Sequence, residues 1–260
     1  PETSGSSIAF LKRFWKGMTF YTLCGHSRTI IRASQCEIWP FGYRSVLNNC
    51  EYGIYAANDL LYITFRPLFQ GDITVEFYDD FLFFPETRVE KDIRYGGIAR
   101  SWERPAFREH SVIMSYQEQE VQTNVAMTSN AELSFRRTTK NTKNILTLMN
   151  LSAGREYVLA ISFANGETKG WDGYDMAVEC QYQRYREVAE KAPVLHSGRP
   201  MLDRFFQLAP MYHESLKTMD VPGAIRAQTT HYWVWGWDSM TSNDAAFYWG
   251  DHAFIGQMLE

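Results

Sequence analysis

The sequence predicts a large antiparallel β-sandwich followed by an α-helical region. Hydrophobic residues recur with a period of two between about Met18 and Ala164, which is typical of strands with one buried face. Near Lys169 the period changes to 3.6, which indicates helices. Of the 260 residues, 45% are hydrophobic and 22% are charged, so the chain has the composition of a folded protein rather than a disordered one.

The strands are predicted from apolar side chains that alternate with polar ones. Five segments show this alternation most clearly: Leu60–Arg66, Ile73–Phe77, Val112–Tyr116, Val121–Met127 and Tyr157–Phe163. Turn-forming residues such as Gln70-Gly71-Asp72 and Asn165-Gly166 separate the strands. Many short alternating strands with turns between them predict an antiparallel sandwich.

Three helices are predicted after the sandwich, over Asp175–Lys191, Pro200–Met219 and Asn243–Leu259. Asp172 or Asp175 can cap the first helix. Its apolar stripe consists of Val178, Tyr182, Tyr185 and Ala189. The stripe of the second helix consists of Leu202, Phe205, Ala209, Tyr212, Leu216 and Met219. Pro210 lies within that stripe and is expected to kink the second helix or divide it.

The change of period also predicts the domain organisation: a sandwich over residues 1–170, a linker helix over 171–198 and a helical region over 199–260. The chain begins at Pro1 rather than Met, which indicates a processed chain or a piece of a longer one. Two helices joined by a long aromatic loop cannot close a core of their own. We therefore expect either that more chain follows Glu260 or that these helices dock on the sandwich or on a partner.

Charge and motifs argue against several functions. Lys and Arg number 26 against 30 Asp and Glu, a net charge of -4, so no excess of cations is present to bind nucleic acid. No apolar run approaches the ~20 residues of a membrane-spanning helix. We expect no metal or cofactor, because nucleotide-binding glycine loops are absent and His213-Glu214 is followed by Lys217 where a zinc protease has His. The compartment stays open, with a periplasmic or extracellular location preferred over a cytoplasmic one.

The four cysteines show no C-x-x-C spacing. They are Cys24, Cys36, Cys50 and Cys180. We expect buried or half-buried thiols, and a disulfide among the first three stays open.

The aromatic segment His231–Met240 is the main candidate for a binding site. If this segment is extended, Trp233, Trp235 and Trp237 are directed to the same side. Indole rings offer flat apolar faces that suit the C–H faces of sugars, and the carboxylate of Asp238 can accept hydrogen bonds from sugar hydroxyls. The alternative is a loop whose Trp side chains fill a gap between helices while Asp238 caps the next helix.

Four stretches of the helical region resemble the opening of a six-hairpin (α/α)6-barrel glycosidase. They are Arg199–Phe206, Ser215–Lys217, Tyr232–Ser239 and Gly250-Asp251. The sequence is similar here to bacterial glucosidase-I-like and glycogen-debranching-like enzymes, in which a β-supersandwich precedes the barrel. The resemblance implies that residues 199–260 form the first helical hairpin of such a barrel.

The resemblance also implies an activity, the inverting hydrolysis of O-glycosidic bonds in oligosaccharides. Trp235, Trp237 and Asp238 would line the barrel mouth and hold the non-reducing-end sugar, and Trp233 joins them as a substrate-binding candidate. Asp238 is also the one catalytic candidate, since trehalases use the Asp of a Gly-Trp-Asp loop as the general acid. The Arg expected soon after that loop is absent from Ser239–Asp244, which favours a binding role.

In the glucosidase-I-like group the catalytic acid and base lie on later hairpins, so this chain is expected to lack the complete pair. The alternative function is a non-catalytic carbohydrate-binding or scaffold module. The expected partners are an oligosaccharide and a further copy of the chain that covers the exposed helix faces.

Overall fold

The computed structural model describes residues 18–24, 27–30, 35–46, 49–57, 60–78, 101–102, 106–108, 110–118, 121–138, 143–162, 170–217, 225, 246 and 249–259. The chain divides into two compact units, one up to Val178 and one from Glu179. The described part is mostly antiparallel sheet, with a few helices towards the C-terminal end. This order confirms the predicted sandwich followed by helices. The barrel and the three predicted domain ranges stay predictions.

The described residues of the first unit contain fourteen strands. They are β1 (Met18–Cys24), β2 (Ser27–Ile30), β3 (Gln35–Trp39), β4 (Gly42–Val46), β5 (Cys50–Ala57), β6 (Leu60–Pro67), β7 (Gly71–Tyr78), β8 (Ser101–Trp102), β9 (Ala106–Arg108), β10 (Ser111–Glu118), β11 (Val121–Ser129), β12 (Glu132–Thr138), β13 (Lys143–Leu151) and β14 (Tyr157–Ser162). One sheet has the order β12-β13-β7-β1-β2. The other has the order β3-β4-β5-β6-β14-β11-β10-β8, with β9 beside β10. The strand pairs of both sheets are antiparallel.

A single hydrophobic cluster joins the two sheets into a sandwich. Ile73 and Leu146 enter it from the five-stranded sheet, and Ile63, Met114 and Leu159 enter it from the nine-stranded sheet. Each such side chain contributes ~1.5–3 kcal/mol when it is fully buried. The inward residues of β13 alternate with less buried ones, which is the pattern expected of a strand with one buried face, whereas Thr74 and Glu76 of β7 are buried on its other face as well.

Strand β14 departs from that alternation, because it is buried along its whole length. Its neighbour β6 carries Tyr62 on the face away from the sandwich core. The ring centroid of Tyr62 lies 5.6 Å from that of Tyr174, and the ring centroid of Tyr55 lies 5.9 Å from the same Tyr174 ring. The outer face of the sheet is therefore covered as well, so the burial of β14 does not follow the period of two predicted for Tyr157–Phe163.

The described residues contain three α-helices: α1 (Tyr174–Lys191), α2 (Pro200–Leu216) and α3 (His252–Leu259). Helix α1 confirms its prediction to within one residue. Helix α2 continues through Pro210, so the predicted division is wrong, and it ends before Met219 because Lys217 has an extended ψ of 136°. No helix in the described ranges combines the length and the apolar character that crossing a membrane requires.

The third predicted helix is not continuous from Asn243 to Leu259, although Ala246 is helical and residues 243–245 lie outside the described residues. Trp249 and Gly250 form a turn, and Gly250 has a φ of +78°, which a right-handed helix does not allow. The helix α3 therefore starts only at His252.

The predicted apolar stripe of α2 is also wrong in part. The side chains of Phe205 and Tyr212 are 68% and 57% exposed, whereas Leu216 is buried. Leu216 packs with Ile225 and Phe254 in a separate small cluster of the second unit. The helix therefore buries the side towards α3 and exposes most of its aromatic residues.

The thiols divide into two kinds. Cys50 is a free, buried thiol, which excludes a disulfide at this residue, and burial raises its pKa to about 12. Cys180 is a free thiol on the surface of α1, so the expectation of burial is wrong there. The side chains of Cys24 and Cys36 lie outside the described residues.

Candidate functional site

The aromatic segment that the sequence singles out lies outside the described residues, so the positions of Trp233, Trp235, Trp237 and Asp238 stay predictions. The two ends of the chain segment that contains it are described. The segment follows Lys217, at the end of α2, and precedes Asp251, at the start of α3. An ion pair joins the side chains of Lys217 and Asp251, so these two residues, between which the segment lies in the sequence, are in contact.

A cluster of charged side chains forms around this ion pair. On α2, Glu214 accepts hydrogen bonds from Nε and Nη2 of Arg184 at 2.7 and 2.5 Å, and Arg184 comes from α1. The other carboxylate oxygen of Glu214 lies 2.5 Å from Nζ of Lys217. Because Lys217 also pairs with Asp251, alternating charges connect α1, α2 and the start of α3. We call these four residues the charge cluster.

Burial and hydrogen bonding have opposite effects on the two carboxylates of the charge cluster. Burial alone would raise the pKa of Glu214, but hydrogen bonds from Lys217 and Arg184 outweigh it and lower this pKa. Burial would also raise the pKa of Asp251, but the hydrogen bonds from Lys217 and from the backbone N–H of Phe254 outweigh it and lower this pKa. Both carboxylates are therefore anions at neutral pH, which suits binding and structure rather than proton donation.

Aromatic rings surround the cluster on its apolar side. His213 is only 6% exposed, and its ring centroid lies 5.3 Å from that of Trp249 and 5.8 Å from that of Phe254. Nζ of Lys217 lies 4.5 Å from the Phe254 ring centroid, which adds a cation–π contact. These contacts fix the positions of the indole and the imidazole.

Asp251 has a structural role. Its backbone N–H donates to the carbonyl of Ala246 at 3.0 Å, and the N–H of Phe254 is directed at its carboxylate at 3.4 Å. A carboxylate at the first turn of α3 is favoured by the helix dipole. Asp251 thus begins the helix and connects it to Lys217 at the end of α2.

The cluster borders a cavity of about 400 Å³ that is open to solvent. The cavity is lined by residues of α1, α2 and α3 together with Trp249 and Gly250. Within the part of the chain that the structure describes, no group of His, Cys, Asp and Glu is arranged to hold a metal ion.

Most of this site has no counterpart among the features predicted from the sequence. Lys217 enters there through the absent zinc motif and the Ser215–Lys217 stretch, without a connection to Asp251. One usable signal is the spacing of Glu214 and Lys217, because residues three apart lie on the same side of a helix. The contacts with Arg184 and Asp251 span 30 and 34 positions and have no local signal.

No protein-family model and no curated protein matches the sequence. Solved structures do match over 75% of this chain. A family GH92 inverting mannosidase from Bacteroides thetaiotaomicron has a TM-score of 0.49, is 8% identical and is covered over 29% of its length. A family GH92 α-mannosidase from the same organism has a TM-score of 0.46, is 11% identical and is covered over 30%. A human-microbiome protein described as a kojibiose phosphorylase has a TM-score of 0.33, 11% identity and 28% coverage. This chain thus spans less than a third of the length of these three proteins.

Proposed function

We propose that the chain is the N-terminal part of an inverting, glucosidase-like glycoside hydrolase that cleaves O-glycosidic bonds of oligosaccharides. The observation that carries the proposal is the Trp-x-Trp-x-Trp-Asp stretch at 233–238, which follows a β-sandwich and lies between two helices. The ion pair of Lys217 and Asp251 supports it, because it brings together the two described helix ends between which this stretch lies in the sequence.

In the proposed reaction one carboxylic acid protonates the leaving oxygen and one carboxylate activates water, with the two carboxyl groups ~6.5–9.5 Å apart. Trp235 and Trp237 bind the apolar face of the non-reducing-end sugar, with Trp233 beside them. Asp238 accepts hydrogen bonds from the sugar hydroxyls. The acid and the base are supplied by later hairpins of the longer protein.

Steady-state kinetics of the full-length protein on a panel of glucosides and mannosides tests this assignment. Trp237→Ala should weaken substrate binding by ~1–3 kcal/mol, because one aromatic contact surface is lost. Asp238→Asn should mainly raise KM if the carboxylate binds hydroxyls, whereas a general acid would lose kcat by ~10²–10⁴. Trp171→Ala and Asp175→Asn, both at exposed residues of the other unit, are matched controls.

Three results would contradict the proposal in different ways. If Trp237→Ala and Asp238→Asn behave like their controls, the aromatic segment is packing rather than a site. If kcat falls by two or more orders of magnitude in Asp238→Asn, the segment carries the acid and the binding role is wrong. If the full-length protein binds oligosaccharide through Trp237 and cleaves no glycoside, it is a binding module.

A further inference from the structure

The cavity beside the charge cluster is not used by the proposed function. Its volume of about 400 Å³ lies within the ~300–1,000 Å³ that is usual for ligand pockets. Its polar walls are formed by six charged side chains: Arg184, Glu187, Lys191, Glu214, Lys217 and Asp251. None of these residues belongs to the aromatic segment.

The charges on the cavity wall balance. The three cationic groups are on Arg184, Lys191 and Lys217, and three carboxylates face the same space. An anion would be repelled by the carboxylates, and a cation would be repelled by the basic side chains. A neutral molecule with many hydroxyls can donate to the carboxylates and accept from the guanidinium and ammonium groups at the same time. The wall chemistry therefore favours a sugar.

The polar groups are held in position by one another. The side chains of Glu214 and Lys217 are only 12% and 16% exposed and lie 2.5 Å apart. Arg184 uses two of its N–H groups on Glu214, and a guanidinium carries five. A site whose side chains are already fixed loses little conformational entropy when a ligand binds.

Trp249 supplies an apolar wall. Its ring packs edge-to-face with the buried ring of His213, and it lies in the turn just before α3. A fixed indole offers the C–H face of a pyranose a large contact surface together with an N–H donor. The cavity thus combines an aromatic wall with paired charged groups.

We propose that this cavity binds one neutral pyranose unit, with the sugar ring on Trp249 and its hydroxyls on Arg184 and the carboxylates. The proposal goes beyond the hydrolase function, because it requires no catalytic residue. Glu187 also lines the cavity and is exposed, so its carboxylate is accessible to the ligand, whereas Glu214 is partly buried.

Titrations of methyl α-D-glucopyranoside and methyl α-D-mannopyranoside into the full-length protein, followed by saturation-transfer NMR, test the proposal. A background with Trp237→Ala and Asp238→Asn removes binding at the aromatic segment. In this background Trp249→Ala should raise Kd by about tenfold or more. Glu187→Ala should raise Kd by about threefold or more, because one charged hydrogen bond is lost.

The controls are matched in residue type. Glu190→Ala removes an exposed Glu from the same helix α1 at a position that does not line the cavity. Trp171→Ala removes a Trp that is 38% exposed in the other unit. Both controls should bind either sugar within about twofold of the background protein. If Trp249→Ala fails to fold, Glu187→Ala and its control decide the matter, since both side chains are exposed.

Three results would overturn the inference that the cavity binds a pyranose. They are that neither sugar binds, that the cavity variants bind sugar like their controls, or that inorganic phosphate displaces the sugar. The outcome is separable from that of the proposed function. A protein that cleaves no glycoside but loses sugar binding in the cavity variants retains this site. A hydrolase whose cavity variants bind both sugars normally lacks it.

Discussion

Replacing Lys217 by Met tests whether the charge cluster stabilises the helical unit. Nζ of Lys217 pairs with Glu214 and Asp251 and lies 4.5 Å from the ring centroid of Phe254. Met retains a long apolar side chain but removes the charge, so the two carboxylates lose the cation between them.

The exposure of the partners determines the expected loss. Removing one partner of a buried ion pair costs ~3–5 kcal/mol, whereas an exposed pair contributes ~0–1 kcal/mol. Lys217 and Glu214 are 16% and 12% exposed and are closer to the first kind, but Asp251 is 36% exposed and contributes less. Because the side chains of Lys217 and Glu214 are only partly buried and Arg184 still binds Glu214, we expect Lys217→Met to lower the free energy of unfolding by ~1–3 kcal/mol.

Urea unfolding combined with hydrogen exchange measures this loss. The chain has two compact units, so a single transition cannot be assumed, and exchange in peptides from α2 and α3 assigns the effect to the helical unit. Lys191→Met is the matched control, because Lys191 is exposed at the end of α1 and loses the same charge. Its expected effect is within about 0.5 kcal/mol.

A stabilising role of the Lys217 charge is excluded if both Met variants unfold at the same urea concentration and show equal hydrogen exchange in α2 and α3. A double-mutant cycle of Lys217→Met and Asp251→Asn gives the pairwise coupling. A coupling near zero would show that this ion pair adds nothing to the stability of the unit.

Three further predictions concern the same unit. The pKa values of Glu214 and Asp251 are lowered from their ordinary 4.5 and 3.8. The two carboxylates therefore stabilise the fold fully above those values, and this contribution is lost as the pH falls below them. Urea midpoints measured from pH 6 to pH 2.5 should decrease accordingly, and a flat profile would contradict the prediction. Gly250→Ala should lower the free energy of unfolding by ~1 kcal/mol, because Gly250 has a φ of +78°. Gly256→Ala within α3 should raise it by ~0.5–1 kcal/mol, because nothing lies within 4 Å of the added methyl group. Urea midpoints of the two variants that shift in the same direction would contradict this prediction. The 260-residue chain should self-associate through the exposed apolar face of α2, so Phe205→Ser should shift sedimentation towards the monomer; an unchanged distribution would exclude that face.

Predictions from the sequence succeeded where one local pattern determines the structure. The sandwich follows from the alternation of apolar residues, because each sheet buries one face against the other. Helix α1 follows from its stripe, since Val178 and Tyr185 are buried and the residues opposite are exposed. These patterns depend only on neighbours within a few positions.

Predictions failed where the neighbours are distant in sequence. Phe205, Tyr212 and Leu216 all fit the apolar stripe of α2, so periodicity identifies the helix. It does not identify which side of the helix is buried by packing against the rest of the unit. Gly250 interrupts the third helix through its φ, and a glycine within a helical pattern does not reveal its φ. The charge cluster joins residues 30 and 34 positions apart, and a single sequence does not indicate which charges pair over that distance.

The ion pair of Lys217 and Asp251 also makes the intervening segment modular. The two residues are 34 positions apart, yet their side chains are in contact, and Ile225 and Ala246 between them are buried in the same small cluster as Leu216. The helices therefore keep their anchor points when the sequence between Ile225 and Ala246 changes. Closing a flexible loop of twice the length costs only ~0.6 kcal/mol more. Loops of different length and composition can therefore be exchanged between Ile225 and Ala246 with little loss of stability. Under the proposed function, replacement of this segment would change the substrate preference while the scaffold that holds it stays the same.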